Sequence, residues 1–195
     1  MRLFYVPGVC SLSPHIVLRE MGADFQLDKV DRKTKVSESG VDYNRLNPKS
    51  YVPALQLDDG TVLTEGASIV MYLVDQKGGE KLAPKAGTRE RYKMQEWLVF
   101  IATELHKNFS PLFRKTPDPV FRETLIKRLD LVAGTLAHQP FLLGNEFSAA
   151  DAYLYTILRW STRAEVTLPP ALQQFMDRVK ARPAVAQALK EEGLN

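Results

Sequence analysis

The sequence has a single cysteine, Cys10, among 195 residues, so no disulfide can form within the chain. This excludes the disulfide framework of small secreted domains and is typical of a reducing compartment. Long apolar runs are also missing: the longest nearly apolar stretch, 66–74, is far too short to span a bilayer. The first residues lack the apolar region of a signal peptide. We therefore expect a cytoplasmic protein with no membrane partner.

The sequence also lacks a strong excess of either charge. The 26 Lys and Arg residues against 23 Asp and Glu residues give a net charge of +3, which is too small to indicate a nucleic-acid partner. Three scattered histidines and one cysteine do not make a metal site, so we expect none. The remaining composition, 45% hydrophobic and 25% charged, is ordinary for a globular protein of one domain or two small ones.

Residues 1–77 show the pattern of a small α/β domain. Short strands are predicted near 3–6, 25–27, 54–57 and 61–63, with a hairpin turn at Asp58-Asp59-Gly60. A first helix is expected to begin at Ser13-Pro14 and to end at Gly22. The first two strands should pair in parallel through a right-handed crossover. The order predicts a βαβ-αββα sandwich.

A linker over 78–87, with three glycines and one proline, ends this pattern. Beyond it, residues 88–195 carry only helical periods, beginning with a long helix from about Thr88 to Ser110. A further helix is expected to start at Ser148, with Asp151 completing a variant of the capping box. The chain is therefore predicted to hold a second, all-helical domain.

The stretch 47–69 carries the clearest indication of a binding site. If the Val52-Pro53 bond is cis, the Val52 backbone is turned outward and can pair with an extended ligand; the ordinary prior for an X–Pro bond is trans. We expect Thr64 to be the N-cap of the next helix, which leaves Glu65 and the Gly66 amide at the helix start. Glu65 is then either an ordinary helix-start carboxylate or the partner of a ligand ammonium, and Gly66 can hold a ligand carboxylate.

Three further residues have both a structural and a chemical interpretation. Cys10 precedes a helix start, where a thiol is shifted toward the reactive thiolate, but a buried structural cysteine is equally common. Ser11 can hydrogen-bond the same group. Lys35 is either a solvated side chain or the partner of a second ligand carboxylate. A single helical histidine such as His106 is more often a structural hydrogen-bonding residue than a catalyst.

These residues together resemble a known family, the bacterial beta-class glutathione S-transferases. The resemblance rests on Lys33-Thr34-Lys35 and on the segments PGVCSLSPHIVLRE, NPKSYVPALQLDDGTVLTEGASIVMYL, ELHKNFSPLF and LLGNEFSAADAYLY. It implies a thioredoxin-like N-terminal domain, an all-α C-terminal domain and a homodimer. It also implies detoxification of hydrophobic electrophiles, with glutathione as co-substrate and no other cofactor.

The resemblance also implies the roles of individual residues. Cys10 faces the glutathione sulfur, and Lys35 meets the glycyl carboxylate. Val52, before a cis Pro53, pairs with the cysteinyl backbone. The γ-glutamyl end is held by Glu65 and Gly66. His106 lies near the sulfur across the domain cleft, with Thr103, Glu104 and Lys107 beside it.

Two positions depart from the family pattern and leave alternatives open. Beta-class proteins often carry serine and asparagine where this chain has Gly66 and Val99, so one or two glutathione contacts are lost. The expected activity is conjugation of the glutathione thiolate to small hydrophobic electrophiles, with Cys10-dependent thiol-disulfide or peroxidase chemistry as a further activity. The alternative is a non-catalytic protein of the same fold that binds hydrophobic ligands or a protein partner.

Overall fold

The chain divides into two compact units, which a computed structural model describes over residues 1–116 and 118–194. The first unit contains Met1–Leu82 and the described residues from Pro183 onward, and the second contains Ala83–Arg182. The boundary after Leu82 falls inside the predicted linker 78–87. The predicted helical domain 88–195 needs one correction, because its last helix belongs to the first unit.

The first unit is built around a four-stranded sheet. Its elements are β1 Arg2–Tyr5, α1 Leu12–Met21, β2 Gln26–Lys29, α2 Tyr43–Leu46, β3 Ala54–Gln56, β4 Val62–Thr64, α3 Gly66–Val74, a 3-10 turn at Glu80–Leu82 and the last helix, Pro183–Glu191. The strand order is β2-β1-β3-β4. The β1–β2 pair is parallel, and the β1–β3 and β3–β4 pairs are antiparallel. A parallel crossover unit followed by a hairpin is the predicted thioredoxin-like arrangement, which is confirmed.

The register of the sheet explains which strand residues are buried. Leu3 pairs with Leu55, and Phe4 pairs with Ala54. Successive residues of a strand point to opposite faces, and all four side chains are fully buried. Both faces of the sheet are therefore covered. On the Phe4 face the core cluster includes Tyr43 of α2, so α2 is anchored to the sheet beside the loop that leads into β3.

The last helix joins the first unit through polar side chains that surround the buried His15. Nδ1 and Nε2 of the fully buried His15 lie 2.9 Å and 2.8 Å from carboxylate oxygens of Glu192 and Glu191. Glu192 also accepts a hydrogen bond from the Gly8 backbone N–H at 2.9 Å. Buried polar groups need hydrogen-bond partners, and these partners come from the two ends of the chain. Local sequence patterns give no sign of a pairing between the two ends of the chain. The sequence-based prediction therefore placed the last helix in the wrong domain.

Helices make up the regular structure described in the second unit. They are α4 Arg89–Phe100, a π-helical turn at Ile101–His106, α5 Lys107–Phe109, a 3-10 turn at Ser110–Phe113, α6 Pro119–Leu136, α7 Ala149–Leu158, α8 Ser161–Ala164 and α9 Pro170–Lys180; the last helix of the chain is α10. Every residue of α7 is buried, so α7 is the central helix of this unit. Within residues 1–116 and 118–194, no helix has both the length and the apolar character that crossing a membrane requires.

The start of α7 carries the predicted capping box. The Asp151 carboxylate accepts the backbone N–H and the hydroxyl of Ser148 at 2.8 Å and 2.6 Å. It also accepts the backbone N–H of Leu142 at 2.8 Å. Burial raises the pKa of Asp151 to about 6, and the hydrogen bonds act in the opposite direction. The segment is a folding element, as the capping pattern predicts.

Candidate functional site

Cys10 and Val52, which are 42 residues apart in the sequence, meet in the first unit. The Cys10 thiol is partly buried and donates to the Val52 carbonyl, with 3.2 Å between Sγ and O. The thiol is therefore not sealed in the core. The Val52–Pro53 bond is cis, as the resemblance implies. The backbone predicted to pair with a ligand thus lies within hydrogen-bond reach of the predicted reactive sulfur.

The start of α1 differs from the prediction by two residues. The N-cap is Ser11, so Cys10 directly precedes it, and Pro14 lies within the first turn rather than at the first helical position. The Ser11 hydroxyl is fully buried and bonds the backbone N–H and carbonyl of Val6. Ser11 therefore fixes the loop between β1 and α1, and a hydrogen bond from Ser11 to the ligand group that Cys10 faces stays a prediction.

Backbone strain marks the same corner of the first unit. Among the described non-glycine residues, four have a positive φ, and three of them are Lys35 at 58°, Ser50 at 61° and Glu65 at 68°. The Lys35 ammonium donates to the Ser50 carbonyl at 2.8 Å. Strained backbone of this kind is destabilising and is concentrated at binding sites and active sites. Its occurrence at two of the predicted ligand-binding residues supports a binding role for this corner.

Gly66, which follows Glu65 at the start of α3, lies directly beside Pro53. The N-cap of α3 is Glu65 rather than the predicted Thr64, which is the last residue of β4, and Gly66 is the first helical residue. A Cβ atom added at Gly66 would lie 3.8 Å from Cγ of Pro53, an ordinary contact distance. The helix start predicted to hold one end of a ligand therefore adjoins the Val52-Pro53 backbone.

Buried polar side chains hold the loop that contains Val52. The Tyr51 carbonyl accepts hydrogen bonds from the Tyr43 hydroxyl at 3.0 Å and from the Asn47 side-chain amide at 2.9 Å. Tyr43 and Asn47 are almost completely buried, and burial raises the pKa of Tyr43 to about 12, so its hydroxyl remains a donor at neutral pH. The loop is therefore fixed in position before any ligand arrives.

Four of the predicted residues lie in the second unit, close to the π-helical turn. His106 ends this turn; its Nδ1 lies 2.9 Å from the Tyr153 hydroxyl, and its ring meets the Trp160 ring edge to face at 4.9 Å. The Thr103 hydroxyl donates to the Val99 carbonyl at 3.0 Å. Glu104 accepts from Arg128 at 2.8 Å, and Lys107 is exposed.

The π-helical turn replaces part of the predicted long helix from Thr88 to Ser110. A π turn adds one residue to a helical turn and is frequent at functional sites. The stretch Ile101–His106 has neither proline nor glycine, so its sequence gives no sign of the irregularity. The predicted helix therefore had the correct extent but not the correct interior.

Three neighbours of the site were not identified from the sequence: Lys49, Ser50 and Tyr51. The Lys49 ammonium lies 2.7 Å from Oε1 of Glu65, and the Tyr51 hydroxyl lies 3.0 Å from the same oxygen. Asn47-Pro48 is a turn signal that places a loop here. It does not indicate which side chains of that loop reach the start of α3.

Two family models match the chain. "Glutathione S-transferase, N-terminal domain" matches residues 9–76, and "Glutathione S-transferase, C-terminal domain" matches residues 102–183. Glutathione S-transferase GstA of Escherichia coli O157:H7 is 48% identical, and the alignment covers 100% of both chains.

Solved structures agree with these matches. The bacterial glutathione transferase BphK, in a ternary complex, has a TM-score of 0.96 and 51% identity over 100% of both chains. A sphingomonad glutathione S-transferase complexed with glutathione and the beta-class enzyme of Sphingomonas chungbukensis each have a TM-score of 0.93 and 41% identity, again over 100% of both chains.

Proposed function

The chain belongs to the glutathione S-transferase family, and from this premise we propose how it holds and uses glutathione. It is a glutathione transferase that resembles the bacterial beta class. We propose that glutathione lies extended beside Val52 as an added strand. Its glycyl carboxylate pairs with Lys35, and its γ-glutamyl end pairs with Glu65 and the Gly66 amide. The observation that carries this proposal is that Cys10, Val52 and the start of α3 lie in one strained corner.

In this arrangement the glutathione sulfur lies beside Cys10 at the start of α1. The helix N-terminus favours the thiolate, and lowering the thiol pKa by two units requires about 2.7 kcal/mol. The thiol proton passes to solvent, and the thiolate then attacks the electrophilic carbon. A sulfur–carbon bond forms, and the leaving group departs with the electron pair of the bond that breaks. No cofactor is required besides glutathione as co-substrate.

We propose that the second unit contributes the electrophile site and further glutathione contacts. The resemblance assigns His106 to the vicinity of the sulfur, with Thr103, Glu104 and Lys107 beside it. The aromatic ring of Trp160 against His106 provides an apolar surface that suits a hydrophobic electrophile.

Cys10 allows a second reaction, thiol–disulfide exchange. Its thiolate attacks the glutathione sulfur of a mixed disulfide between glutathione and another thiol, forms a disulfide between Cys10 and glutathione, and releases the other thiol as its thiolate. A glutathione thiolate then attacks this Cys10 disulfide, which restores the Cys10 thiolate and releases oxidised glutathione as the second product. The two reactions differ in their need for Cys10. Thiol–disulfide exchange requires its sulfur, whereas conjugation does not.

Substitution of Cys10 tests the two reactions. We expect Cys10→Ala to retain conjugation of 1-chloro-2,4-dinitrobenzene and to lose reduction of a glutathione mixed disulfide. Cys10→Ser is the matched control, because it keeps a donor for the Val52 carbonyl without a redox-active sulfur. If both variants lose conjugation to the same extent, Cys10 itself takes part in conjugation.

The full-length identity to an enzyme named glutathione S-transferase favours catalysis over the non-catalytic alternative. Retention on glutathione-agarose separates the two. A protein that flows through the resin and shows no conjugation activity would support the alternative, a binding protein for hydrophobic ligands or a protein partner.

We also propose a cytoplasmic homodimer that detoxifies electrophiles. Tyr92 and Val99, seven residues apart on α4, are 61% and 59% exposed, so one face of α4 carries large apolar side chains in the isolated chain. Contact with a second copy would cover them. Light scattering coupled to size-exclusion chromatography measures the mass in solution, and a monomer would contradict this part of the proposal.

A further inference from the structure

The Lys49 ammonium forms an ion pair with the Glu65 carboxylate, the group that the proposed function pairs with a ligand ammonium. Lys49 Nζ lies 2.7 Å from Oε1 of Glu65 and 3.0 Å from Oγ1 of Thr64. The hydrogen bond to Glu65 raises the pKa of Lys49, so the ammonium stays charged at neutral pH. A cation is therefore built into the γ-glutamyl end of the site.

This ion pair is not a random surface contact. The Lys49 backbone is held in place by a buried residue of the same loop. The Lys49 backbone N–H donates to Oδ1 of the buried Asn47 at 3.1 Å. The Tyr51 hydroxyl donates to Oε1 of Glu65 at 3.0 Å. Two side chains of this loop, Lys49 and Tyr51, therefore donate hydrogen bonds to the same oxygen of Glu65.

A ligand ammonium that approached Glu65 alone would be repelled by the Lys49 ammonium, because like charges at contact distance disfavour each other. The γ-glutamyl residue avoids this conflict. Its ammonium and its carboxylate are attached to the same carbon, so the ammonium can face Glu65 while the carboxylate faces Lys49. The four charges then alternate in sign, and both protein charges remain paired.

We propose that Lys49 determines specificity for the α-carboxylate of the γ-glutamyl residue. The inference rests on the proposed function. It defines the thiol substrates as peptides whose γ-linked N-terminal residue carries a free amino group and a free carboxylate on one carbon. Tyr51 acts as a positioning residue, because it orients the Glu65 carboxylate.

The test is a binding cycle between Lys49 and the ligand carboxylate. Isothermal titration calorimetry measures the affinity of glutathione and of 4-aminobutanoyl-Cys-Gly, which keeps the ammonium but lacks the α-carboxylate. For the wild type we expect glutathione to bind at least about 10-fold more tightly than the analogue, the size of one charge-assisted hydrogen bond.

In Lys49→Met we expect glutathione to bind about 10-fold more weakly and the analogue to bind as well as before or better, because no protein cation now repels its ammonium. The ratio of the two affinities therefore falls to near one. Lys49→Arg should retain the ratio, because it keeps the charge. Lys29→Met is the matched control: it removes a similarly exposed lysine that is paired with Glu38 in the same unit.

The outcomes separate the inference from its premise. If Lys49→Met keeps the wild-type ratio, or weakens both ligands equally, Lys49 does not recognise the carboxylate and the inference is wrong, while the glutathione site stands. If the wild type binds neither ligand, the proposed function fails and the inference fails with it.

Discussion

Two helices of this protein begin beside an acidic side chain, but the two side chains differ in their surroundings. Asp151, at the start of α7, is buried and accepts hydrogen bonds from the protein. Glu65, at the start of α3, is half exposed and has a strained backbone conformation. Asp151 has no exposed surface and accepts three hydrogen bonds from Ser148 and Leu142. The Glu65 side chain is 50% exposed, has a φ of 68° and makes no side-chain cap. Both carboxylates lie near positive helix ends, yet their surroundings suit different tasks.

The difference shows how stability and binding are divided between these two helix starts. A buried carboxylate is tolerated only when the protein satisfies it, and Asp151 uses its acceptors on two backbone N–H groups and one hydroxyl. Glu65 remains accessible, and its backbone conformation is destabilising. We therefore expect loss of Asp151 to affect folding and loss of Glu65 to affect ligand binding.

The largest effect is expected at Asp151. Asp151→Ala removes the acceptor of two buried backbone N–H groups, each of which costs about 1–3 kcal/mol when left unsatisfied. We expect the free energy of unfolding to fall by about 3–5 kcal/mol, measured by urea denaturation. Asp130→Ala, an exposed acid of α6, is the matched control and should stay within about 0.5 kcal/mol of the wild type. Equal stability of the two variants would contradict a folding role for Asp151.

At Glu65 the comparison predicts the opposite result. Glu65→Gly removes the carboxylate and also relieves the positive φ, because glycine adopts such a conformation without steric conflict. Glutathione should bind about 10- to 150-fold more weakly, while the free energy of unfolding stays equal or rises by up to about 1 kcal/mol. Calorimetric titration and urea denaturation measure the two quantities.

Glu65→Gln is the control for this experiment. It removes the charge but has a Cβ atom, so the strain of the positive φ remains. It should lose affinity without gaining stability. A large loss of stability in Glu65→Gly would mean that Glu65 holds the fold together, and the contrast with Asp151 would disappear.

The pH dependence of stability sharpens the same contrast. Asp151 has a folded pKa of about 6, above its ordinary value of 3.8, so the folded state binds more protons between these two values. Its contribution to stability is therefore fully present below the unfolded pKa and is lost as the pH rises through 6. Relative to Asp151→Asn, which does not titrate, the wild type should gain about 1 kcal/mol between pH 7 and pH 5. Denaturation midpoints at the two pH values measure this gain; an unchanged difference would indicate a carboxylate that is ionised throughout.

The sequence was informative where the physical signal is local. The β3–β4 hairpin follows from Asp58-Asp59-Gly60, the end of α1 from Gly22, and the capping box from Ser148 with Asp151. Each depends on backbone preferences within a few residues.

The parts that were missed depend on long-range contacts. The packing of α10 on α1 is stabilised by His15, which lies more than 170 residues before its partners Glu191 and Glu192 in the chain. The approach of Lys49 to Glu65 depends on how the loop before β3 folds back on α3. Such pairings arise only in the folded state, and the alternation of apolar and polar residues does not encode them.

The smallest expected effect concerns Gly66, which adjoins Glu65 and has no counterpart at the start of α7. Its φ is not in the left-handed region, and a Cβ there would make only an ordinary contact with Pro53, so Gly66→Ser requires no backbone movement. The serine hydroxyl common in beta-class proteins at this position would then add one hydrogen bond to the γ-glutamyl end. We expect glutathione to bind about 2- to 10-fold more tightly by calorimetric titration, corresponding to about 0.5–1.4 kcal/mol. Gly66→Ala adds the same Cβ without the hydroxyl and should leave the affinity unchanged. If alanine and serine tighten binding equally, the gain comes from a more rigid helix start rather than from a new hydrogen bond. The wild-type affinity would then be limited by the flexibility of the Gly66 backbone and not by the missing hydroxyl.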